Sequence, residues 1–344
     1  MSHTAPAPAA SVPPPSPPVE KIELTAGAVR LSGLLALPTG TEPRALLVAL
    51  HGGGMGAGYF HGHVDPSASL LSLATAAGYA ALALDRPGYG ASAGLLPEGM
   101  DLADQASCVR EALRGYAAEH PSGAGCFLVG HSFGGTLALT MAASAVPDDR
   151  LIGVDVSGVG GRWALPPDRL SSPGRIPDSR LHWGPLSLYP SGTFLVARKV
   201  VGPFPPREAE SVRDWPRAYA GLAAAIRVPV RFTFAEHERF WACDPDAVRE
   251  LTAPLTAPLV RVRHEAGAGH NISLGHAAHR HHRSVLAFLE ECRGRQEQET
   301  AGAGAAERET VGAGAVERET VGAGAVELEV DERGMAERGM AEQR

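Results

Sequence analysis

Four short apolar runs constrain this chain more than anything else in it: ALLVALH (45–51), YAALALD (79–85), CFLVGH (126–131) and LIGVDVS (151–157). They do not alternate with polar residues, so each reads as a strand covered on both faces. The stretches between them are long enough for helices. One over 67–77 is closed by Gly78, and one capped by Asp101 carries Leu102, Ala106, Val109, Leu113 and Tyr116 at helical spacing. A third, rich in Ala and Leu, runs from Phe133 to about Ala145. VRLSGLLAL (29–37) is a further strand, ending at Pro38. VPVRFTFA (228–235), a short helix over 246–251, PLVRVR (258–263) and a last helix over about 276–292 complete the series. The alternation predicts an α/β fold with a mostly parallel central sheet and helices on both faces. Segment 159–225 interrupts it with Trp163, Trp183, Trp215 and many prolines. It is too long for a structureless connection and reads as an inserted lid over the strand ends, where ligands bind.

Neither end of the chain fits that domain, which is expected over 20–293. Residues 1–19 include APAPAASVPPPSPP, which favours extended backbone and has nothing to bury. Residues 294–344 repeat in tens (TAGAGAAERE, TVGAGAVERE, TVGAGAVELE) and then in fives (ERGMA). Such units are too short for a packing repeat and too rich in glycine for a stable helix, so disorder is expected. From residue 295 on, the tail holds twelve acidic and six basic side chains, most of the net charge of -7. The nearly neutral body gives no reason to expect nucleic acid or a membrane surface as a partner. Cysteines 108, 126, 243 and 292 show no C-x-x-C spacing, and no leader or membrane-length apolar stretch is found. A reduced, cytoplasmic protein is expected; oligomeric state is not legible.

The chemistry centres on Gly130-His131-Ser132-Phe133-Gly134, a G-x-S-x-G pattern between the strand CFLVG and a helix. A sharp strand-to-helix turn would raise the Ser132 hydroxyl clear of the sheet and set it beside free N–H groups at the helix start. Ser92, Ser107 and Ser157 lack that context and read as structural. An oxyanion needs donors, and the backbone N–H of Phe133 is one. The other is expected from His51-Gly52-Gly53-Gly54: Gly53 first, Gly54 as the alternative. His51 reads as a residue that orients this loop.

His270, in the glycine-flanked EAGAGHNISLG, is placed to return over the sheet toward Ser132 as general base. The carboxylate that orients it is expected just past VRFTFA, with Glu238 favoured; Glu236, Asp244 and Asp155 remain alternatives. His276, His279, His281 and His282 have no Cys, Asp or Glu at ligand spacing and read as solvated helical side chains, so no metal is expected.

With HGGG (51–54), DRPGYGAS (85–92), GHSFGG (130–135), VPVRFTFAEHE and GAGHN in hand, the chain resembles the α/β-hydrolase superfamily over about 20–293. The order Ser132, Glu238, His270 matches that superfamily's nucleophile, acid and histidine. The resemblance implies that Asp85 and Arg86 support a loop near the site as ion partners. It also implies an aspartate more often than a glutamate at position 238. The lid and HGGG loop look like those of tailoring hydrolases and thioesterases of small-molecule metabolism. A serine at the elbow argues against epoxide opening and dehalogenation, which use aspartate there.

The expected reaction is attack of Ser132 on an ester or thioester carbonyl of a small, partly apolar molecule, with an acyl-enzyme intermediate and no cofactor. A carrier-bound acyl group is a further candidate substrate. An acyltransferase or cyclase using the same triad, a C–C bond hydrolase and an idle ligand-binding protein are the alternatives.

Overall fold

Successive strand residues point to opposite faces, and in the run 46–50 both faces are buried. Leu46, Val48 and Leu50 join one apolar cluster while Leu47 and Ala49 join another, so no position is left for a polar side chain. The structure, a computed structural model, describes residues 18–61, 64–165, 179–197, 200–310 and 325–329. Its strands are β1 (Val19–Ala26), β2 (Val29–Ala36), β3 (Leu46–Leu50), β4 (Ala80–Leu84), β5 (Cys126–His131), β6 (Leu151–Ser157), β7 (Val230–His237), β8 (Leu259–Gly269) and β9 (Ala325–Glu329). They lie in the order β1-β2-β4-β3-β5-β6-β7-β8-β9. β1 with β2 and β2 with β4 are antiparallel, and the other pairs are parallel.

α1 (Leu70–Ala76) and α8 (Ala278–Thr310) pack on one face. α2 (Leu102–Glu119) and α3 (Phe133–Ala143) pack on the other. Asp101 caps α2 by accepting the Asp104 N–H at 2.9 Å.

Between β6 and β7 the chain leaves the sheet for the inserted lid, which holds α4 (Ser179–Trp183), α5 (Thr193–Ala197) and α6 (Pro206–Leu222). Residues 166–178 and 198–199 of the expected lid lie outside the described residues. α6 buries Glu208, Trp215 and Tyr219. The Trp215 indole donates to the Gly160 carbonyl at 3.1 Å and the Tyr219 hydroxyl to the Leu251 carbonyl at 2.7 Å, which ties this helix to the body. The preceding stretch instead leaves Leu186, Phe194, Leu195, Val201 and Phe204 exposed. α7 (Pro245–Thr252) follows β7.

Three elements differ from the sequence expectation. VEKIELTA forms β1, whose mixed side chains suit an edge strand half open to solvent. The last helix continues beyond Cys292 to Thr310, where Arg293 bridges Glu290 and Glu297 one turn to either side. β9 then pairs in parallel with β8 from within the repeat segment. The rest of that segment and residues 1–17 lie outside the described residues.

Candidate active site

β5 ends at His131 and α3 begins at Phe133, which leaves Ser132 alone at the bend with φ 51° and ψ -119°. Holding a side chain there costs about 1–3 kcal/mol. A Cβ on Gly134 would stand 2.0 Å from the Leu50 carbonyl oxygen, and one on Gly130 would stand 2.4 Å from the Gly135 Cα. The flanking glycines are thus dictated by backbone approach. The Ser132 N–H donates to the Ser157 carbonyl at 2.8 Å, tying the bend to β6. The Phe133 amide belongs to the first turn of α3, where N–H groups have no helical acceptor.

His270 follows β8 directly and Glu238 lies just past β7. Nδ1 of His270 is 2.9 Å from Oε2 of Glu238. A carboxylate only accepts, so Nδ1 carries the proton and Nε2 is left free to accept one. The other Glu238 oxygen accepts the amides of Arg239 at 3.0 Å and Phe240 at 2.9 Å. Burial by itself would raise the Glu238 pKa. The His270 charge and these hydrogen bonds outweigh burial and hold the carboxyl below its usual range. The imidazole rests on the strand end that holds Ser132: a Cβ on Gly158 would lie 2.7 Å from its Cε1. No hydrogen bond joins the Ser132 hydroxyl to His270 among the described residues; such contacts often close only when substrate is bound.

The remaining carboxylates are engaged elsewhere. Glu236 accepts the Gly267 N–H at 2.8 Å. Asp244 caps α7 and pairs with Arg162 at 3.0 Å. Asp155 pairs with Arg231 at 2.5 Å, inside the sheet, where burial raises its pKa and Arg231 opposes the rise.

In the glycine loop, the His51 ring makes two bonds, Nδ1 to the Gly52 carbonyl at 2.8 Å and Nε2 to the Arg86 N–H at 3.1 Å. Burial, helped by the Arg86 charge, keeps this imidazole neutral. A Cβ on Gly52 would stand 3.2 Å from the Ser132 Cβ, so this backbone lies against the serine. The Gly54 N–H is already given to the Tyr89 hydroxyl at 2.9 Å. The Gly53 N–H has no acceptor among the described residues. Asp85 and Arg86 do not pair with each other. Asp85 accepts from the Ser32 hydroxyl and the Ala57 amide, both at 2.7 Å, whereas Arg86 pairs with Glu208 of α6. The strand end turns these two neighbouring side chains to different surroundings.

A sequence model of the Alpha/beta hydrolase family matches residues 47–283, more than half of the chain. The chain belongs to this family. No curated protein sequence matches it. Among solved structures, this alpha/beta hydrolase is similar to a soluble variant of monoglyceride lipase from Saccharomyces cerevisiae (TM-score 0.60, 17% identity, 85% of this chain and 99% of that one). It is also similar to a thermostable carboxyl esterase from Bacillus coagulans (TM-score 0.58, 15% identity, 80% and 99% covered). A third likeness is to a membrane phospholipase A described as a bacterial virulence factor (TM-score 0.55, 17% identity, 80% and 87% covered). At these identities the likeness is one of fold.

Several residues of the candidate site carry no signal in the sequence. His131 stacks on Tyr59, with centroids 4.7 Å apart, and lies 4.9 Å from the His270 ring. From the insertion, His182 approaches His270 with ring centroids 6.4 Å apart, and burial pushes its pKa down to about 4. Phe204 covers the glycine loop: a Cβ on Gly53 would fall 2.3 Å from its ring, which meets Phe133 edge-on at 6.5 Å. His131 stands at the variable position of the serine motif, whereas Tyr59, His182 and Phe204 stand in no motif and only the folded chain brings them to the site.

The histidine cluster around the start of α8 departs in part from expectation. His276 and His279 are exposed, but His281 and His282 are buried. His282 bridges the Ala68 carbonyl at 2.6 Å and the Ser273 hydroxyl at 2.9 Å, on the helix face turned to the body. Among the described residues no group of three His, Cys, Asp or Glu is arranged to hold a metal ion, and no helix is long and apolar enough to cross a membrane.

Proposed function

We propose that this alpha/beta hydrolase cleaves an ester or thioester of a small, partly apolar molecule through an acyl-enzyme on Ser132. The observation that carries the proposal is the buried His270–Glu238 pair at 2.9 Å, resting on the strand end whose carbonyl holds Ser132. In this reading Nε2 of His270 takes the Ser132 proton as Oγ bonds to the carbonyl carbon. The oxyanion accepts from the Phe133 and Gly53 amides, and Glu238 balances the imidazolium. The tetrahedral intermediate then breaks its bond to the leaving group, which takes the proton from His270. Water, deprotonated by the same imidazole, releases the acid. The apolar Phe204 and Phe240 beside the site favour an apolar acyl or alcohol portion.

The test is to treat the purified protein with a fluorophosphonate and with a panel of short and long acyl esters and thioesters, reading adducts by mass spectrometry. Covalent mass on the peptide holding Ser132, with acyl turnover, is the expected result. No adduct on Ser132 and no turnover across the panel would refute the proposal.

A further inference from the structure

Glu208 stands in the first turn of α6, within the insertion, yet its side chain is fully buried. Its two oxygens take four hydrogen bonds. Oε1 accepts from Arg86 Nη1 and from Gln105 Nε2 at 3.0 Å. Oε2 accepts from Arg86 Nη2 at 3.0 Å and from the Tyr89 hydroxyl at 2.7 Å. Charge matching of this kind prevents the large penalty of a lone buried ion, but an apolar replacement of the whole pair often serves stability as well. The significance of the pair lies in what else Arg86 and Tyr89 hold.

Arg86 donates from Nε to the His51 carbonyl at 2.7 Å and from Nη2 to the Gly52 carbonyl at 3.3 Å. The Gly52 carbonyl is thus gripped by Arg86, by the Met55 N–H at 3.3 Å and, at 2.8 Å, by the His51 ring. Every peptide bond described is trans, so the carbonyl of Gly52 and the N–H of Gly53 point in opposite directions. Pinning that carbonyl turns the Gly53 N–H away from Arg86. Tyr89, held by Glu208, takes the neighbouring Gly54 N–H. The Arg86 guanidinium also lies 4.5 Å over the Phe133 ring, beside the second donor.

We infer that Glu208 is a positioning residue through which the inserted helix α6 orients the Gly53 amide, so that the oxyanion hole is complete only while the insertion is seated. This rests on the roles proposed for Ser132 and Gly53. A peptide flanked by glycines has wide conformational freedom, and its direction is set by what holds the carbonyl. Without the carboxylate, the guanidinium has no matching charge and is held on that side only by Gln105, whose Oε1 accepts from Nη1 at 2.8 Å.

The inference is tested on the full chain with Glu208→Gln and Tyr89→Phe, each compared with wild type in three measurements. These are turnover of a p-nitrophenyl ester, inhibition by a trifluoromethyl ketone of the same acyl group, and binding of the corresponding alcohol. Oγ of Ser132 adds to the ketone carbon, its proton passes to His270, and the carbonyl pair becomes an oxyanion that needs the hole. The alcohol forms no oxyanion. Glu208→Gln is expected to lower kcat and ketone affinity together by about 10–100-fold, with KM and alcohol affinity within about threefold. Tyr89→Phe should show a parallel loss of about three- to tenfold. Ketone affinity within twofold of wild type in the folded variants would overturn the inference, as would an equal loss of alcohol binding. If Glu208→Gln does not fold, Tyr89→Phe decides. Failure of a fluorophosphonate to label Ser132 in wild type would instead refute the proposed function itself. A labelled wild type with unmoved ketone affinity refutes only the role of Glu208.

Discussion

His270 directs its Nδ1–H at Oε2 of Glu238 across 2.9 Å, and the carboxylate is held from behind by the amides of Arg239 and Phe240. The pair leaves the imidazole one free nitrogen and a counter-charge for the proton it gains. Glu238→Gln keeps the shape but loses that charge and the unambiguous tautomer. We expect kcat to fall by about 10³–10⁴-fold with little change in KM, measured on the best ester of the panel.

The same carboxylate makes stability depend on pH. Its pKa in the folded chain lies below its ordinary 4.5, so the unfolded chain binds this proton first as pH falls. The stabilisation is complete above the ordinary value and disappears as pH drops through the lowered one. Urea unfolding of wild type and Glu238→Gln should therefore diverge most near neutral pH and converge in acid. A difference that grows with acidification would contradict this.

Ser132 occupies φ 51°, a conformation that glycine adopts without strain. Ser132→Gly should abolish turnover yet raise unfolding free energy by about 1 kcal/mol, read from the urea midpoint. A loss of stability would show that the bend stores no strain.

Gly134 and Gly115 differ in what an added methyl would meet. At Gly134 a Cβ would fall 2.0 Å from the Leu50 carbonyl and 2.5 Å from that of His51, both backbone atoms. Gly134→Ala should cost about 2–4 kcal/mol and dislodge Ser132. At Gly115, on the solvent side of α2, nothing lies within 4 Å, and Gly115→Ala should gain about 0.5–1 kcal/mol. Thermal unfolding of the two variants checks both signs.

Phe204 is 39% exposed and lies over Gly53. Phe204→Ala should open the space above the glycine loop at a stability cost of about 1 kcal/mol or less. We expect kcat/KM to rise for bulky acyl esters relative to acetate; an unchanged ratio would place the acyl path elsewhere.

Ending the chain after Thr310 removes β9, which adds only an outer strand to β8. Such a truncation should stay folded and keep full turnover, as followed by circular dichroism and ester hydrolysis.

The double-sided apolar strands and the glycines around Ser132 are legible in the sequence. Each is a local pattern: strand alternation requires ALLVAL to be apolar throughout if both faces are covered, and a tight bend admits only glycine where backbones touch. The choice between Glu236 and Glu238 depended on how the chain leaves β7. The pairing with β8 shifts register between Ala235 and His237, which turns Glu236 to the Gly267 amide and Glu238 to His270. The partner of Arg86 lay further out of reach. Nothing near residue 86 indicates a carboxylate on a helix of the insertion, because charges separated along the chain pair by distance in space. Periodicity and bend geometry act within a few residues and are written in the sequence; ion pairs, ring contacts and the direction of one amide arise only when distant segments pack together.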